Sequence, residues 1–426
     1  MIMHNNNLSN LSNESRILLL CSQLNIDEEN KKILKDILNK DINWQKVLKY
    51  ACFHRTVCLL YKNLSQMDFN RKEIINTWQG YYQYFLDFNQ LTQEKLSFLL
   101  NDLKRKNIKI IIRKGMELIK LVYKDMGLRP TGDIDVLVRP EDWKEINNTL
   151  RNMGLTSELD LLKLHNLSQG RLCFHILYLD KTPGKVNNPY SLGYVKYIRV
   201  EPRIKLHHFD FYKSAIDEIW KDALVFSSEG MDALMLSHED TIMDLCFNLS
   251  KYQFSRLLCV CDINEFILKY KDCINWDLFT KKSQARYLNP INYSGLRCAK
   301  RLFNTPFPDD LLKDLEPPRY TIILLNKLYP KINSVEESLG EYLSYIPNEL
   351  RFFMMTYRLT NINMLIKILA FFFKTIFPSV KFLSYRYDIP RTPFIILFCY
   401  LKRFKKALRL LGKFLINVVA RTARLA

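Results

Sequence analysis

The sequence predicts a helix-rich α+β protein in which a small mixed β-sheet core is flanked by N- and C-terminal helical segments. Over most of the chain, apolar residues recur three and four positions apart, which is the spacing of amphipathic helices. A short central stretch instead has β-branched runs that alternate with helical patterns, as in strands joined by helices. Twelve glycines in 426 residues, and no internal repeat, also favour a mostly helical chain.

These patterns divide the chain into four predicted parts. The first part should contain one helix over Trp44–Leu64 and a long helix from about Trp78 to Lys106. The parts are an N-terminal helical segment (1–106), an α/β core (107–230), a helical domain (231–350) and basic amphipathic C-terminal helices (351–426).

Strands and helices alternate in the predicted core. The expected order is strand Ile108–Gly115, helix Met116–Gly127, strand Asp133–Val138, helix Arg139–Gly154, and strand candidates Arg171–Asp180 and Tyr194–Phe209. Pro140 suits the first turn of its helix and Gly154 suits the end. From residue 232 the pattern returns to helix, including Ser237–Tyr270 with Ser237 as N-cap.

Two aspartates stand one residue apart in "TGDIDVLVRP", at the start of an otherwise apolar strand. Residues two apart on a strand point to the same face, so Asp133 and Asp135 should lie side by side. Two such carboxylates raise each other's pKa unless a cation lies between them. Mg²⁺ is typically held by one or two carboxylates together with substrate phosphates. The pair therefore predicts a magnesium site, although acids at a strand start also cap helices or pair with arginine.

A phosphate site is predicted on the neighbouring strand. Lys114 and Gly115 follow that strand where a helix begins, and backbone N–H groups at a helix start suit a phosphate. Lys114 and Arg129 could add positive charge. A phosphate site beside a metal pair favours metal-assisted phosphoryl or nucleotidyl transfer.

The central stretch from Arg113 to Leu155 resembles the core of the nucleotidyltransferase-fold superfamily (polymerase-beta-like). Within it, the match is to a bacterial group of uncharacterised nucleotidyltransferases. Their pattern is Lys-Gly after a strand, a helix, Gly-x-Arg, and then Asp-Ile-Asp, two aliphatic residues and Val. The matching residues are Lys114, Gly115, Gly127, Arg129, Asp133, Ile134, Asp135 and Val138.

Looser matches extend the resemblance to about residues 44–315. They include His54-Arg55 in an N-terminal helix, and Glu239-Asp240 and Asp262 in a later helical segment.

The resemblance implies an NTP, with ATP as the expected donor, whose phosphates lie near Gly115, and Mg²⁺ on Asp133 and Asp135. It also implies a third carboxylate that activates the acceptor hydroxyl. Glu201 is the first candidate, because it shares a strand face with Arg199 and Arg203; it could equally be an exposed acid paired with those arginines. Asp210 is the second candidate. The superfamily's Gly-Ser is Gly115-Met116 here, so no serine hydroxyl is available to the phosphates.

The positive charge is concentrated at the C-terminus. The net charge is +19, and from residue 360 onward 13 Lys and Arg residues face a single acid. Within residues 392–419, Phe404, Leu408, Leu411, Leu415 and Val418 fall on one helical stripe, with lysines and arginines largely off it. Such a helix can lie in an anionic membrane interface, or it can bury its apolar face on the protein body.

The leading interpretation is a cytoplasmic, Mg²⁺-dependent nucleotidyltransferase that moves an NMP, expected to be AMP, from an NTP to a hydroxyl or phosphate acceptor. The polar N-terminal sequence and scattered cysteines are typical of a cytoplasmic protein. No aromatic-plus-basic stripe of the kind that binds single strands is found, so a small molecule, peptide or glycan is favoured over nucleic acid. The resemblance suggests tailoring of a peptide natural product or surface polysaccharide. The alternative is a non-catalytic nucleotide-binding or membrane-associated scaffold that keeps the fold.

Overall fold

The computed structural model describes residues 11–67, 69–157, 178–180, 198–206, 213–319, 321–322, 373 and 376–422. The N-terminal part is helical, and its helices are α1 (Asn13–Leu20), α2 (Glu28–Leu38), α3 (Trp44–His54), α4 (Val57–Ser65) and the long α5 (Lys72–Arg105). The core contains β1 (Ile111–Arg113), α6 (Gly115–Leu118) with a π-helical turn (Ile119–Tyr123), β2 (Ile134–Leu137), α7 (Trp143–Asn152), β3 (Leu155–Thr156), β4 (Tyr178–Asp180) and β5 (Arg199–Arg203).

The later elements complete the sheet and add a helical body. They are α8 (Lys213–Lys221), β6 (Leu224–Ser228), β7 (Met231–Met235), α9 (His238–Lys251), α10 (Leu257–Tyr270), α11 (Trp276–Ala285), α12 (Asn289–Phe303), α13 (Leu311–Asp314), α14 (Val380–Tyr387) and α15 (Pro393–Thr422). The helix-rich α+β class with a small mixed sheet is confirmed. The domain boundaries stay predictions.

The described strands form one mixed sheet in the order β3-β4-β5-β2-β1-β7-β6. Strand β2 is central; it is antiparallel to β1 and parallel to β5. Alternation along β2 sends Ile134 and Val136 into a core with α5 and α7, while Leu137 faces the opposite side with Ile111. Asp135 shares the face of Leu137, so the carboxylates point away from the larger of the sheet's two cores.

Two predicted helices are each broken in two. The helix predicted over Trp44–Leu64 ends at His54, because Arg55 adopts a left-handed conformation (φ 60°) and α4 begins two residues later. The helix predicted over Ser237–Tyr270 stops after Lys251, where Gln253 and Phe254 both have positive φ. Neither break contains the glycine or proline that normally marks a helix end.

Three further predictions were wrong in detail. The helical pattern was predicted to begin at residue 232, but β7 extends to Met235 as the second strand of a hairpin with β6 and pairs in parallel with β1. The helix expected from Met116 to Gly127 is only α6 and its π-helical turn. The helix after β2 begins at Trp143, so Pro140 precedes it. Ser237 was predicted correctly as an N-cap, and its side chain accepts a hydrogen bond from the Asp240 N–H.

Candidate active site

Asp133 and Asp135 lie at the start of β2 and line one cavity with Gly115, which follows β1. The cavity has a volume of about 230 Å³ and lies between the sheet and the helical body. Gly115 is close to the pair, since a Cβ added there would lie 3.4 Å from the carbonyl oxygen of Asp133. The sequence-predicted pair and its glycine are therefore brought together at one open site.

Glu201 joins them from the neighbouring strand. In the parallel register of β2 and β5, Glu201 is the direct partner of Asp135. Arg203, two residues further along the same face, has its Nε 3.2 Å from Asp135 Oδ1 and also pairs with Glu201. Glu201 thus lies beside the aspartates and also pairs with an arginine, but it is not the exposed acid of the alternative, because its side chain is only 12% exposed. Asp210 lies outside the described residues.

Lys114 is held between the sheet and the helical body. Its Nζ lies 3.9 Å from Asp135 Oδ2 and 3.8 Å from Oδ2 of Asp244 on α9. Its backbone has φ 52° and ψ −121°, which a non-glycine residue adopts only under strain. The backbone N–H donates to the buried Glu117 carboxylate at 3.1 Å. This local geometry directs the ammonium group into the cavity.

Arg129 lies in the cavity wall, but its guanidinium group is already engaged. It donates to Asp262 through Nε (2.8 Å) and Nη2 (2.7 Å), and the Tyr123 hydroxyl donates to the same carboxylate at 2.9 Å. Such a bidentate pair fixes both partners. Arg129 therefore joins the loop before β2 to α10 and can offer a phosphate only its longer-range charge.

The opposite wall comes from helices and was not predicted as part of the site. It contains Arg55 at the end of α3, Lys251 at the end of α9, and Tyr252 and Arg256 just before α10. The Arg256 guanidinium stacks 3.9 Å above the Tyr252 ring. The only sequence signals were the His54-Arg55 match and a lysine at a helix end, and neither indicates the site without the tertiary fold.

The pKa values of the two aspartates are shifted in opposite directions. Burial by itself raises the pKa of Asp135, but the cations of Lys114, Arg203 and Arg113 hold that pKa well below its usual range. Burial and the charge of Asp135 raise the pKa of Asp133. The pKa of Glu201 is also raised, by burial first and then by both aspartates, against the lowering effect of Arg203.

Burial and neighbouring charges also shift the pKa of a cation on the opposite wall of the cavity. Burial, together with Lys114 and Arg203, lowers the pKa of the Lys251 ammonium group to about 7, although Asp135 opposes the shift. The whole lining has six cationic side chains against four carboxylates. The site therefore combines a carboxylate wall with an excess of positive charge.

The residues suit a divalent cation only in part. Within the described part of the chain, no three His, Cys, Asp or Glu side chains converge as a metal cluster, because Arg203 lies between Asp135 and Glu201 and pairs with both. Two carboxylates are enough for Mg²⁺ when substrate phosphates complete its shell. Burial and the charge of Asp135 disfavour the ionised form of Asp133, and a bound cation would favour it, so the aspartate pair fits the ion.

The family model described as "Uncharacterised nucleotidyltransferase" matches residues 40–304. The chain belongs to this family. The match covers β1, β2, β5, α9 and α10, and hence the whole cavity lining. No curated protein and no solved structure is similar enough to the chain to be matched.

Three residues of the looser family matches, His54, Asp240 and Asp262, make buried contacts. His54 Nδ1 accepts a hydrogen bond from the Leu257 N–H at 3.2 Å, which joins α3 to the start of α10. Asp240, fully buried, pairs with Lys282 of α11 at 3.0 Å. Asp262 pairs with Arg129. Of these three contacts, the first two join helices to one another, and the pair of Asp262 with Arg129 joins the helical wall to the loop before β2.

Proposed function

We propose that this protein is a Mg²⁺-dependent enzyme that transfers an NMP, preferably AMP, from an NTP to a hydroxyl or phosphate acceptor. One observation carries the proposal: Asp133, Asp135 and Glu201, from adjacent strands, line the same cavity as Lys114 and Gly115. The nucleotidyltransferase family makes an NTP the expected donor. A third carboxylate in register with the pair favours catalysis over the scaffold alternative.

Asp133 and Asp135 would hold the metal ion, and Lys114 and the backbone at Gly115 would bind phosphate. Arg129 would contribute charge from the wall while it stays paired with Asp262. Bound Mg²⁺ would neutralise the phosphates and make the α-phosphorus easier to attack.

Glu201 is the proposed general base. It would accept the acceptor's proton while the acceptor oxygen forms its bond to the α-phosphorus and inorganic diphosphate leaves. The raised pKa of Glu201 suits this role, because a base is most effective when its pKa approaches the working pH. Its pairing with Arg203 would have to loosen during the reaction.

The acceptor is proposed to be a small molecule, peptide or glycan, as in the tailoring of a peptide natural product or surface polysaccharide. The cavity is small, at about 230 Å³, and its described lining has one aromatic side chain, Tyr252. A single-stranded nucleic acid would need a longer groove with several stacking rings.

The test is incubation of the protein with α-labelled or γ-labelled ATP, Mg²⁺ and cell extract. Label retained in an acceptor from the α position alone, and lost with Asp133→Asn, supports nucleotidyl transfer. Label retained from the γ position would indicate a kinase. Absence of any label that depends on Asp133 would favour the scaffold.

We also propose a peripheral membrane contact through residues 392–419, in a protein otherwise cytoplasmic. Large apolar side chains on α15 are exposed, from Phe394 (80%) and Leu397 (55%) to Leu408 (52%). Lys402, Lys405 and Lys406 are exposed on the same helix, and the sequence of α15 contains no acid. The side chains of Leu411, Leu415 and Val418 lie outside the described part. None of the described helices is both long enough and apolar enough to cross a bilayer.

A further inference from the structure

The helical wall of the cavity contains a half-buried cation that pairs with no carboxylate among the described residues. Lys251 lines the cavity, with its Nζ 5.4 Å from the centre of the Phe247 ring. Lys114, by comparison, lies within 4 Å of two carboxylates. Partial burial of a charge without a carboxylate partner is unfavourable, so the position of Lys251 in the cavity wall favours an anion that arrives with the ligand.

The start of α10 is directed at the same place. Leu258 and Cys259, in the first turn of this 14-residue helix, line the cavity beside Arg256. The Leu257 N–H donates to His54 Nδ1 and the Cys259 N–H to the Arg256 carbonyl, so this end of the helix offers an anion the Leu258 N–H and the positive end of the helix dipole. The His54–Leu257 hydrogen bond holds this end of the helix in position.

The N-terminus of α6, the other helix end in the cavity, is a weaker site for phosphate. α6, which follows Lys114 and Gly115, has only four α-helical residues before the π-helical turn. Three carboxylates also lie on that side of the cavity and would repel uncompensated phosphates. A polyphosphate would therefore have its metal-bound part near the aspartates and the rest against the helices.

We propose that Lys251, Arg256 and the first turn of α10 form the subsite for the β- and γ-phosphates of the donor NTP, and hence for the diphosphate leaving group. The proposal rests on the proposed nucleotidyl transfer and specifies where its leaving group is bound. As the acceptor oxygen bonds to the α-phosphorus, the bond from that phosphorus to the bridging oxygen breaks. Diphosphate departs with the bonding electrons, next to the ammonium group of Lys251.

Inorganic diphosphate is the probe, because it needs neither acceptor nor turnover. Its binding to the full-length protein is measured by titration calorimetry with Mg²⁺ for the wild type, Lys251→Met and Lys269→Met. Lys269 is an exposed lysine near the end of α10 and serves as the matched control. Loss of one charge-assisted hydrogen bond should weaken diphosphate binding about tenfold or more in Lys251→Met, while Lys269→Met binds like the wild type.

A second variant, Arg256→Gln, tests the subsite independently in case Lys251→Met does not fold. Circular dichroism establishes that each variant is folded. ATP should lose affinity in parallel with diphosphate. If Lys251→Met and Arg256→Gln both bind diphosphate as the wild type does, the subsite is wrong, even if label transfer from α-labelled ATP is observed. Weaker diphosphate binding with unchanged ATP binding would also overturn it, since that result assigns the subsite to a phosphate of the acceptor. Absence of label transfer would contradict the nucleotidyl transfer itself.

Discussion

Asp133 and Asp135 have the same side chain but different electrostatic surroundings. Asp135 is compensated by Lys114 and Arg203, which hold its pKa below the usual range after burial has raised it. Asp133 has less compensation, and burial together with Asp135 raises its pKa. A site built for a metal ion is expected to contain such an uncompensated charge, and to be less stable for it when the metal is absent.

Neutral substitutions should therefore affect the two positions in opposite directions. In metal-free buffer at pH 7, Asp133→Asn should raise the free energy of unfolding because it removes a buried charge. Asp135→Asn should lower it by about 3 kcal/mol or more, because Arg203 and Lys114 lose a buried partner. Urea unfolding followed by circular dichroism measures both; equal effects would contradict this assignment of charges.

Glu117 is a second buried acid with a distinct pH signature. Burial, and next the charge of Asp244, raise its pKa from 4.5 to about 8. Its Oε2 accepts a hydrogen bond from the Lys114 N–H, while Oε1 has no hydrogen-bond partner within the described part of the chain. In the folded protein Glu117 is therefore largely protonated at neutral pH.

The isosteric variant Glu117→Gln should make stability less dependent on pH. The folded state binds the Glu117 proton more tightly than the unfolded state does. Protonated Glu117 therefore contributes its full share to the free energy of unfolding below pH 4.5, and this contribution is lost as the pH rises towards 8. Between those pH values the free energy of unfolding of the variant should rise relative to that of the wild type by up to roughly 1.4 kcal/mol per pH unit. Thermal unfolding from pH 4 to 9 tests this, and parallel stability curves would disprove the raised pKa.

At the scale of residues, the sequence predicted what local periodicity controls. Asp133 and Asp135 could be placed side by side because strand residues alternate between faces, whereas the position of Glu201 beside them depends on the register of β2 and β5. The engagement of Arg129 by Asp262 could not be foreseen, because the partners are separated by more than a hundred residues. Lys251 was missed for the same reason, since only the fold brings the end of α9 to the strands.

At the scale of elements, α9 and α12 pack at unusually close range. Gly295 of α12 faces Cys246 of α9, and a Cβ added to the glycine would lie 2.6 Å from Cys246 Sγ. Both helices belong to the large core of the helical body. This contact sets how near α9, and with it Lys251, approaches the rest of that body.

Gly295→Ala should destabilise the protein by about 1–3 kcal/mol through overpacking. Combination with Cys246→Ala should recover part of this loss, because the nearest obstructing atom is removed. A double-mutant cycle from urea unfolding measures the coupling between the two positions. Strict additivity of the two single effects would show that the helices are not in contact there.

The breaks between elements were the least predictable part of the fold. Arg55, Gln253 and Phe254 adopt positive φ without being glycine, so neither break had its usual local marker. Tertiary contacts compensate, as His54 and Leu257 show by joining the two broken regions. The two breaks supply Arg55 and Arg256 to the cavity wall, so the unpredicted geometry lies at the candidate site.

At the scale of the whole molecule, the cavity is formed between a sheet and helices that are far apart in sequence. The sequence could predict the aspartate pair, which depends on one strand, and could name Glu201 only as a candidate, because its place beside the pair depends on strand register. It could not predict the helical wall, which depends on how α3, α9 and α10 pack against the sheet. The family match spans both walls.

The exposed apolar face of α15 leads to a separate prediction. Full-length protein should sediment with vesicles containing anionic lipid and less with neutral vesicles, since each basic residue near the surface adds about 1 kcal/mol. The triple variant Leu397→Ser, Phe398→Ser, Leu401→Ser should lose binding, because these side chains are exposed on α15. Val225→Ser, at a side chain that is 78% exposed on the sheet, is the control. Equal sedimentation of the triple variant and control would exclude α15 as the contact.

The central claim, that Asp133 and Asp135 hold a divalent cation against nucleotide phosphates, is tested most directly by electron paramagnetic resonance with Mn²⁺ as a spectroscopic substitute for Mg²⁺. The titration is done with an ATP analogue whose α,β-bridge resists cleavage. The wild type should show saturable Mn²⁺ binding that is strengthened by the analogue, and Asp133→Asn should lose it while remaining folded. Identical Mn²⁺ binding by the wild type and Asp133→Asn would contradict the claim.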